Sequence, residues 1–596
     1  MGIYQLFQQG EFDLALEAIE KLQAQHAPHA KAYQLHAMIL KRQGQHDKAI
    51  ECLEQSLSLD PNSSEIHNNL ANSYRHKRAW SKSIDHYQTA LKLKFDYLEA
   101  RRNLALCYVA QGDEKAARET FNEILKRRPN DVSSLVAMAN LDREVQCFDK
   151  AEVNYSKAIN IQPDYFNAWY NRAINAQMLG NLPLAQSYFK NALKLKADSE
   201  EAMISLANID IELGNFDQAS KRLEAFLDIR PEAINAHKAL DRLLWEAGDS
   251  VKVSQSLKQA IARAPEAQEI YAAYSEQLLL INNAREALAV VDNTFSKFGP
   301  NAKALANRAS CYAVLGDSAK AIDDLNHSLS LSHDNSVAND LIQLLLINGD
   351  FQQAQSVIDK NLDCDNDCQL SWAMQGLVWR EQDDERYQWL HQYDRLVKSV
   401  ILDTPVGYRD LDEYLETLQS VLLSLHRSAS APLDQTLHNG SQTAPKLFAQ
   451  QVAEVQQFKQ LCSQAVSDYI SSFTIDEQHP FLRRLRPNFN FSGSWSVRLY
   501  DQGFHVNHVH PEGWISSSSY IALPALNSDS DEGCITFGKS SFLQGGKNRV
   551  EKIIRPEKGM LVLFPSYTWH GTIPFSTFSD EIRLTAPFDV QPRISL

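Results

Sequence analysis

The chain lacks the clustered cysteines of a disulfide scaffold. Its eight, Cys52, Cys107, Cys147, Cys311, Cys364, Cys368, Cys462 and Cys534, are scattered over 596 residues, which reads as reduced thiols in a reducing compartment. Only Cys364 and Cys368 lie close together. No second Cys or His pair stands at zinc-site spacing from them, which argues against a structural zinc site. No run of about 18 apolar residues occurs, so no transmembrane helix is expected. The stretch Met1–Asp13 has no basic segment leading into an apolar one, so no signal peptide is expected and a cytoplasmic location is the default. Positive charge is scarce too: 59 Lys and Arg face 74 Asp and Glu, for a net charge of −15. That deficit argues against a broad grip on a nucleic-acid backbone, which needs phosphate-neutralising excess.

What is present is ordinary globular composition, 44% hydrophobic and 22% charged, in a chain long enough for several domains or one array. Four registers repeat at 34 residues. A small residue recurs at Ala37, Ala71, Ala105, Ala139, Ala173, Ala207 and Ala309, with Asp241 and Ser275 at two steps. Others carry Ala49, Ala117, Ala151, Ala185, Ala219, Ala287 and Ala321; Pro61, Pro129, Pro163, Pro231 and Pro265; and Gly44, Gly112, Gly180, Gly214, Gly248 and Gly316. This fits a helix–turn–helix unit. The small residues mark close helix contact, the Gly supplies a left-handed C-terminus, and the Pro stops the second helix. About nine to ten units fill residues 1–363. The pattern resembles the tetratricopeptide repeat, which implies an all-α superhelix whose concave face takes a protein or peptide. Asn69, Asn103, Asn171 and Asn307 share one position and are candidates for binding a peptide backbone there.

Residues 364–400 read as a helical transition, and Asp410–Leu425 and Phe448–Phe473 as amphipathic helices. Ser428–Ala444 between them is rich in turn formers and reads as a loop. After Pro480, short alternating runs predict strands at Ser494–Tyr500, Ser516–Leu523, Cys534–Phe537, Val550–Ile554, Met560–Phe564 and Ile582–Phe588. A mostly β sandwich or barrel is expected. His508 and His510 stand two apart, which on a strand aims both at one face. His570 follows a later strand. Three imidazoles from two strand ends suit a metal with open positions.

The order Tyr500, His508-x-His510, Tyr520, Gly559–Pro565, His570 and Arg583-x-Thr585 resembles the 2-oxoglutarate- and iron(II)-dependent oxygenases of the prolyl-4-hydroxylase-like kind. It is most similar to bacterial oxygenases fused to tetratricopeptide repeats, through His505–Ser517, Phe564–Pro574 and the loop Asn439–Thr443. The resemblance implies a double-stranded β-helix, a jelly roll with supporting helices, over residues 401–596. It also implies Fe(II) as cofactor, with 2-oxoglutarate and O2 as cosubstrates. His508 and His570 match iron ligands, and Arg583 matches the residue that holds the far carboxylate of 2-oxoglutarate. Thr585 and Tyr500 would add hydrogen bonds, as would Tyr520. His505 is expected beside the ligands.

One departure matters, because the family's second ligand is a carboxylate and His510 stands in its place. Either His510 ligates, or Asp531 or Glu532 completes the site, or metal is held weakly and catalysis is lost; ligation by His510 is favoured. The leading reading is a hydroxylase whose repeats recruit a protein or peptide. The alternatives are a non-catalytic scaffold, or a cupin-type three-His dioxygenase that does not use 2-oxoglutarate. A basic rim at Arg483, Arg484, Arg486, Lys539, Lys547, Arg549 and Lys552 is the one feature that could favour nucleic acid.

Overall fold

The computed structural model describes residues 3–25, 27–426, 436–443, 446–525, 530–577 and 581–593. It divides into two compact units, one up to Asn175 and one from Ala176 onward. In both, consecutive helices pack as pairs, for example Ser64–His76 with Trp80–Leu93 and Ala302–Val314 with Ser318–Leu331. The small residues are buried at each close contact, Ala71 and Ala309 among them. Tyr87, Phe121, Tyr155 and Phe189 fill the gaps and are fully buried, each worth about 2–3 kcal/mol by area. The glycine register has a backbone cause. Gly112 and Gly316 have φ of 86° and 85°, and where the glycine is missing Arg78, Gln146 and Asn282 take φ of 57°, 61° and 59° instead. The turn requires the left-handed region, and those three side chains are strained there.

Shifted by one residue at Gly349 (φ 79°), the register continues to Asp383, at φ 58°. Residues 364–400 thus contain a further helix pair, Gln369–Glu381 with the short Arg386–His391. Gly376 takes the small-residue place there. A Cβ on it would lie 2.5 Å from the Nε2 of His391.

The C-terminal part has strands β1 (Lys398–Ile401), β2 (Leu437–Gln442), β3 (Phe489–Ser494), β4 (Val497–His505), β5 (Ile515–Ala522), β6 (Ile535–Phe537), β7 (Lys552–Ile554), β8 (Met560–Pro565), β9 (His570–Thr572), β10 (Arg583–Thr585) and β11 (Phe588–Pro592). The large sheet runs β1-β8-β5-β10-β4-β2, and β11 pairs with both β3 and β5. A small sheet runs β7-β6-β9. This is a sheet-rich jelly-roll arrangement with supporting helices Leu411–Leu425 and Ala453–Ser471 against β5 and β8. The run expected as one strand from Ser494 breaks at Trp495, whose N–H donates to Pro587 O. The run Ile582–Phe588 breaks at Pro587, which has no N–H for the ladder. Part of the expected loop Ser428–Ala444 is the strand β2; residues 427–435 and 444 lie outside the described residues.

Within the second unit one apolar core runs from Ala309 to Val590 without interruption. Polar contacts reinforce it. The Arg380 guanidinium donates to Gly538 O at 2.7 Å and Asn548 Oδ1 at 2.9 Å, and Tyr567 Oη donates to Leu390 O at 2.9 Å. Much of the basic rim is spent here: Arg483 pairs with Asp367, Lys547 with Asp383, Lys552 with Asp394 and Arg549 with Glu551.

Candidate metal centre

Backbone pairing brings the three histidines together. His508 and His570 form an isolated antiparallel bridge with reciprocal N–H···O bonds of 2.9 and 3.0 Å, and His510 N donates to Ser566 O at 3.0 Å. His508–His510 is not a strand as expected; the bridge to His570 sets its geometry. One ligand atom from each of His508, His510 and His570 lies within 4.8 Å of the others.

The ring tautomers are set by hydrogen bonds. His508 Nδ1 lies 2.7 Å from Val506 O and His570 Nδ1 lies 3.0 Å from Thr568 O. Carbonyl oxygens only accept, so each Nδ1 carries the proton and each Nε2 keeps its lone pair. His510 Nδ1 faces the Asp589 carboxylate at 2.8 and 2.9 Å, with the same result. The Nε2 atoms of His508 and His510 are 3.2 Å apart. Two nitrogens bound at about 2.0–2.1 Å to one tetrahedral or octahedral ion stand roughly 3–3.4 Å apart, so this spacing would let both reach one ion. Burial pushes His508 down to about 3, with His510 adding to it. Burial, then His508 and His510, hold His570 well below the ordinary histidine range. Both rings are neutral at physiological pH and free to ligate.

Surrounding residues close the site unevenly. Phe564 packs on His570 at 4.5 Å between ring centroids, and Trp495 stacks on His510 at 5.9 Å. His508 and His510 remain half-exposed, whereas His570 is buried. His505 stands beside the triad, 5.7 Å from His508 between ring centroids, with Nδ1 3.3 Å from Thr436 Oγ1. Val562 and Phe564 pack with Tyr520, while Leu561 and Leu563 belong to the core that holds the supporting helices.

On β10, Arg583 and Thr585 share a face, and Thr585 is paired with Tyr520 of β5. Arg583 is 2% exposed, its guanidinium lies over the Tyr520 ring at 5.2 Å, and its Nε has no hydrogen-bond partner. Nor has the buried Tyr520 hydroxyl. Among the described residues no carboxylate pairs with the buried Arg583. Tyr500 is not brought there. Arg583 pairs with Leu499 in register, so alternation turns Tyr500 to the other face, where Arg498 lies 4.7 Å from its ring centroid.

Asp531 is exposed, and Glu532 accepts from Ser576 N at 3.4 Å. Neither joins the triad. The carboxylate that does approach it is Asp589, which the sequence reading missed. Its only sequence signal is a charged residue between the apolar Phe588 and Val590.

The repeat asparagines are largely committed. Asn307 is buried and donates to Ala272 O at 3.0 Å and Ser275 Oγ at 2.9 Å. Asn103 donates to Asn72 Oδ1 at 3.1 Å, and Asn171 donates to Asn167 O and accepts from Arg143. Asn69 has no side-chain bond of this kind and is half-buried. Asn103, Asn171 and Asn307 are tied to the preceding unit, so Asn307 in particular has no amide proton left for a peptide.

Comparison with known proteins agrees with this division. Residues 493–589 match the family model described as "Putative 2OG-Fe(II) oxygenase". Residues 176–243 match "Tetratricopeptide repeat", and residues 1–132 match "Psidin, N-terminal TPR repeats region". Human protein O-mannosyl-transferase TMTC1 is 25% identical over 171 residues, 28% of this chain and 19% of that protein. The mouse protein of the same name is 32% identical over 117 residues, 19% of this chain and 12% of that one. The match therefore spans a fifth or less of the length of these two relatives. Among solved structures, yeast Tom70 is similar at 17% identity and a TM-score of 0.33, covering 64% of this chain and 95% of that one. No helix among the described residues is long and apolar enough to cross a membrane. The chain thus joins tetratricopeptide repeats to a region that matches the model of "Putative 2OG-Fe(II) oxygenase" in one polypeptide.

Proposed function

We propose that the chain is an iron(II)- and 2-oxoglutarate-dependent hydroxylase whose repeats recruit a protein or peptide substrate. The observation that carries this reading is the clustering of three histidine ligand atoms in one domain with a buried Arg583 that has no carboxylate partner among the described residues. The donor set is compatible with the metal: imidazole nitrogens suit iron, as they do zinc, copper and nickel. The buried guanidinium, whose Nε lacks a partner, fits the dicarboxylate, because it can bind a carboxylate through two parallel N–H bonds. When bound, iron(II) with 2-oxoglutarate and dioxygen supplies oxidative hydroxylation of a C–H bond.

The residues of this chain do the rest. His508, His510 and His570 hold the metal, each oriented by the acceptor on its Nδ1. Arg583 anchors the far carboxylate, with the Thr585 and Tyr520 hydroxyls as further donors on the same face. Phe564, Val562 and Phe537 wall the site with apolar surface and exclude water. His508 and His510 are only partly covered, with the His510 side chain 12% exposed, and mark the side open to substrate. The three-imidazole set without a carboxylate also favours a cupin-type dioxygenase, and the unpaired Arg583 is what weighs against it. The test is succinate release from 2-oxoglutarate in air. The reading expects release that requires added iron(II) and is lost in His570→Ala; iron-dependent oxygen consumption without succinate would transfer the assignment to the cupin-type reading.

A further inference from the structure

Asp589 is an uncommon residue for its place. It is 8% exposed in β11 and has no Lys or Arg partner among the described residues. A buried carboxylate without compensation is costly. Two groups hold its charge: the Nδ1–H of His510 and the Ser516 hydroxyl at 2.7 Å. Since Ser516 donates to Asp589, Ser566 must be the donor in the 2.8 Å contact between the two serines. The direction of every bond in this chain points toward the carboxylate. The backbone is shaped for it. A register shift between Asp589 and Val590 re-aims the strand, and Asp589 lies opposite Ser516 in the ladder. Gly513 has no room for a Cβ, which would collide with Ser566 Oγ.

We propose that Asp589 is a positioning residue that supplies, one imidazole removed, the negative charge that the three-histidine centre lacks in its own ligand set. This rests on the metal-site reading above. The carboxylate fixes the His510 tautomer, aims its Nε2 at those of His508 and His570, and makes the ring a stronger donor. The site then carries the charge count of two histidines and one carboxylate while presenting three nitrogens. Ser516, itself bonded by Ser566, tethers one oxygen of the carboxylate.

The test is a titration of Co(II) into the full chain, with affinity read by competition with a chelator and coordination by visible absorption. Asp589→Asn removes the charge and keeps one acceptor oxygen for His510 and Ser516, while its NH2 replaces the second oxygen that faces His510. It should weaken Co(II) binding about tenfold to a hundredfold and shift the absorption bands, while His508→Ala should abolish both. If Asp589→Asn binds like wild type and His508→Ala does not bind, the proposal falls and the metal site stands. If wild type takes no Co(II), the metal-site reading falls and this one with it. A second measurement needs no variant. In wild-type protein loaded with Zn(II) and 15N-labelled at histidine, His510 should show a protonated Nδ1; an unprotonated Nδ1 would overturn the proposal even if Asp589→Asn fails to fold.

Discussion

Replacing Arg583 by Met should make the ligand-free protein more stable, not less. Burial already pulls the guanidinium below the usual arginine range, and its Nε is buried without a partner. An unsatisfied buried donor costs about 1–3 kcal/mol, more when charged. Met has similar length and no polar atoms, so it recovers that cost while filling the space over the Tyr520 ring. Wild type should instead gain from the ligand. A ligand held at a hundred times its dissociation constant stabilises by about 2.7 kcal/mol. For a domain of about 200 residues, at roughly 2–4 °C per kcal/mol, that is about 5–11 °C. The assay is anaerobic thermal unfolding with iron(II), with and without 2-oxoglutarate. Arg583→Met should unfold some degrees higher than wild type without ligand, and its midpoint should ignore 2-oxoglutarate. A variant that unfolds lower than ligand-free wild type, with no 2-oxoglutarate shift in wild type, would refute the reasoning: Arg583 would then be satisfied by its own surroundings.

Two further predictions concern the repeats. Burial raises the Asp241 carboxyl to about 7, and its Oδ2 has no partner. The folded state therefore binds this proton more tightly than the unfolded chain, so the penalty is absent below the ordinary Asp range and complete above about pH 7. Asp241→Asn should raise the unfolding midpoint at pH 8 and leave it nearly unchanged at pH 4; equal shifts at both would contradict the assignment. Gly376→Ala should cost about 1–3 kcal/mol through the clash with His391, read as a lower denaturant midpoint, whereas an unchanged midpoint would mean the last pair is loosely packed.

The repeats were legible because their constraints are local. A small residue, a left-handed turn and a helix stop recur at fixed spacing, and the backbone requires each one. The last pair escaped because its register slips by one residue beyond Gly316, to Gly349 at φ 79°, and its second helix is cut to Arg386–His391. The triad was legible because two of its members are near neighbours in sequence. Asp589 was not, because its bond to His510 spans 79 residues and depends on a strand bulge. Tyr500 was misplaced for a related reason. Its distance from His508 along the chain does not fix its face, whereas the pairing of Leu499 with Arg583 does. The strand β2 was hidden by polar residues and Gly440, where a Cβ would collide with the Arg498 carbonyl.

The central claim is that the metal triad and Arg583 together form a 2-oxoglutarate site. Calorimetric titration of 2-oxoglutarate into anaerobic, iron(II)-loaded protein tests it most directly, with Arg583→Ala and His508→Ala alongside. The account predicts saturable one-to-one binding in wild type that is lost in both variants. Iron-loaded wild type that releases no heat and binds no 2-oxoglutarate would contradict it.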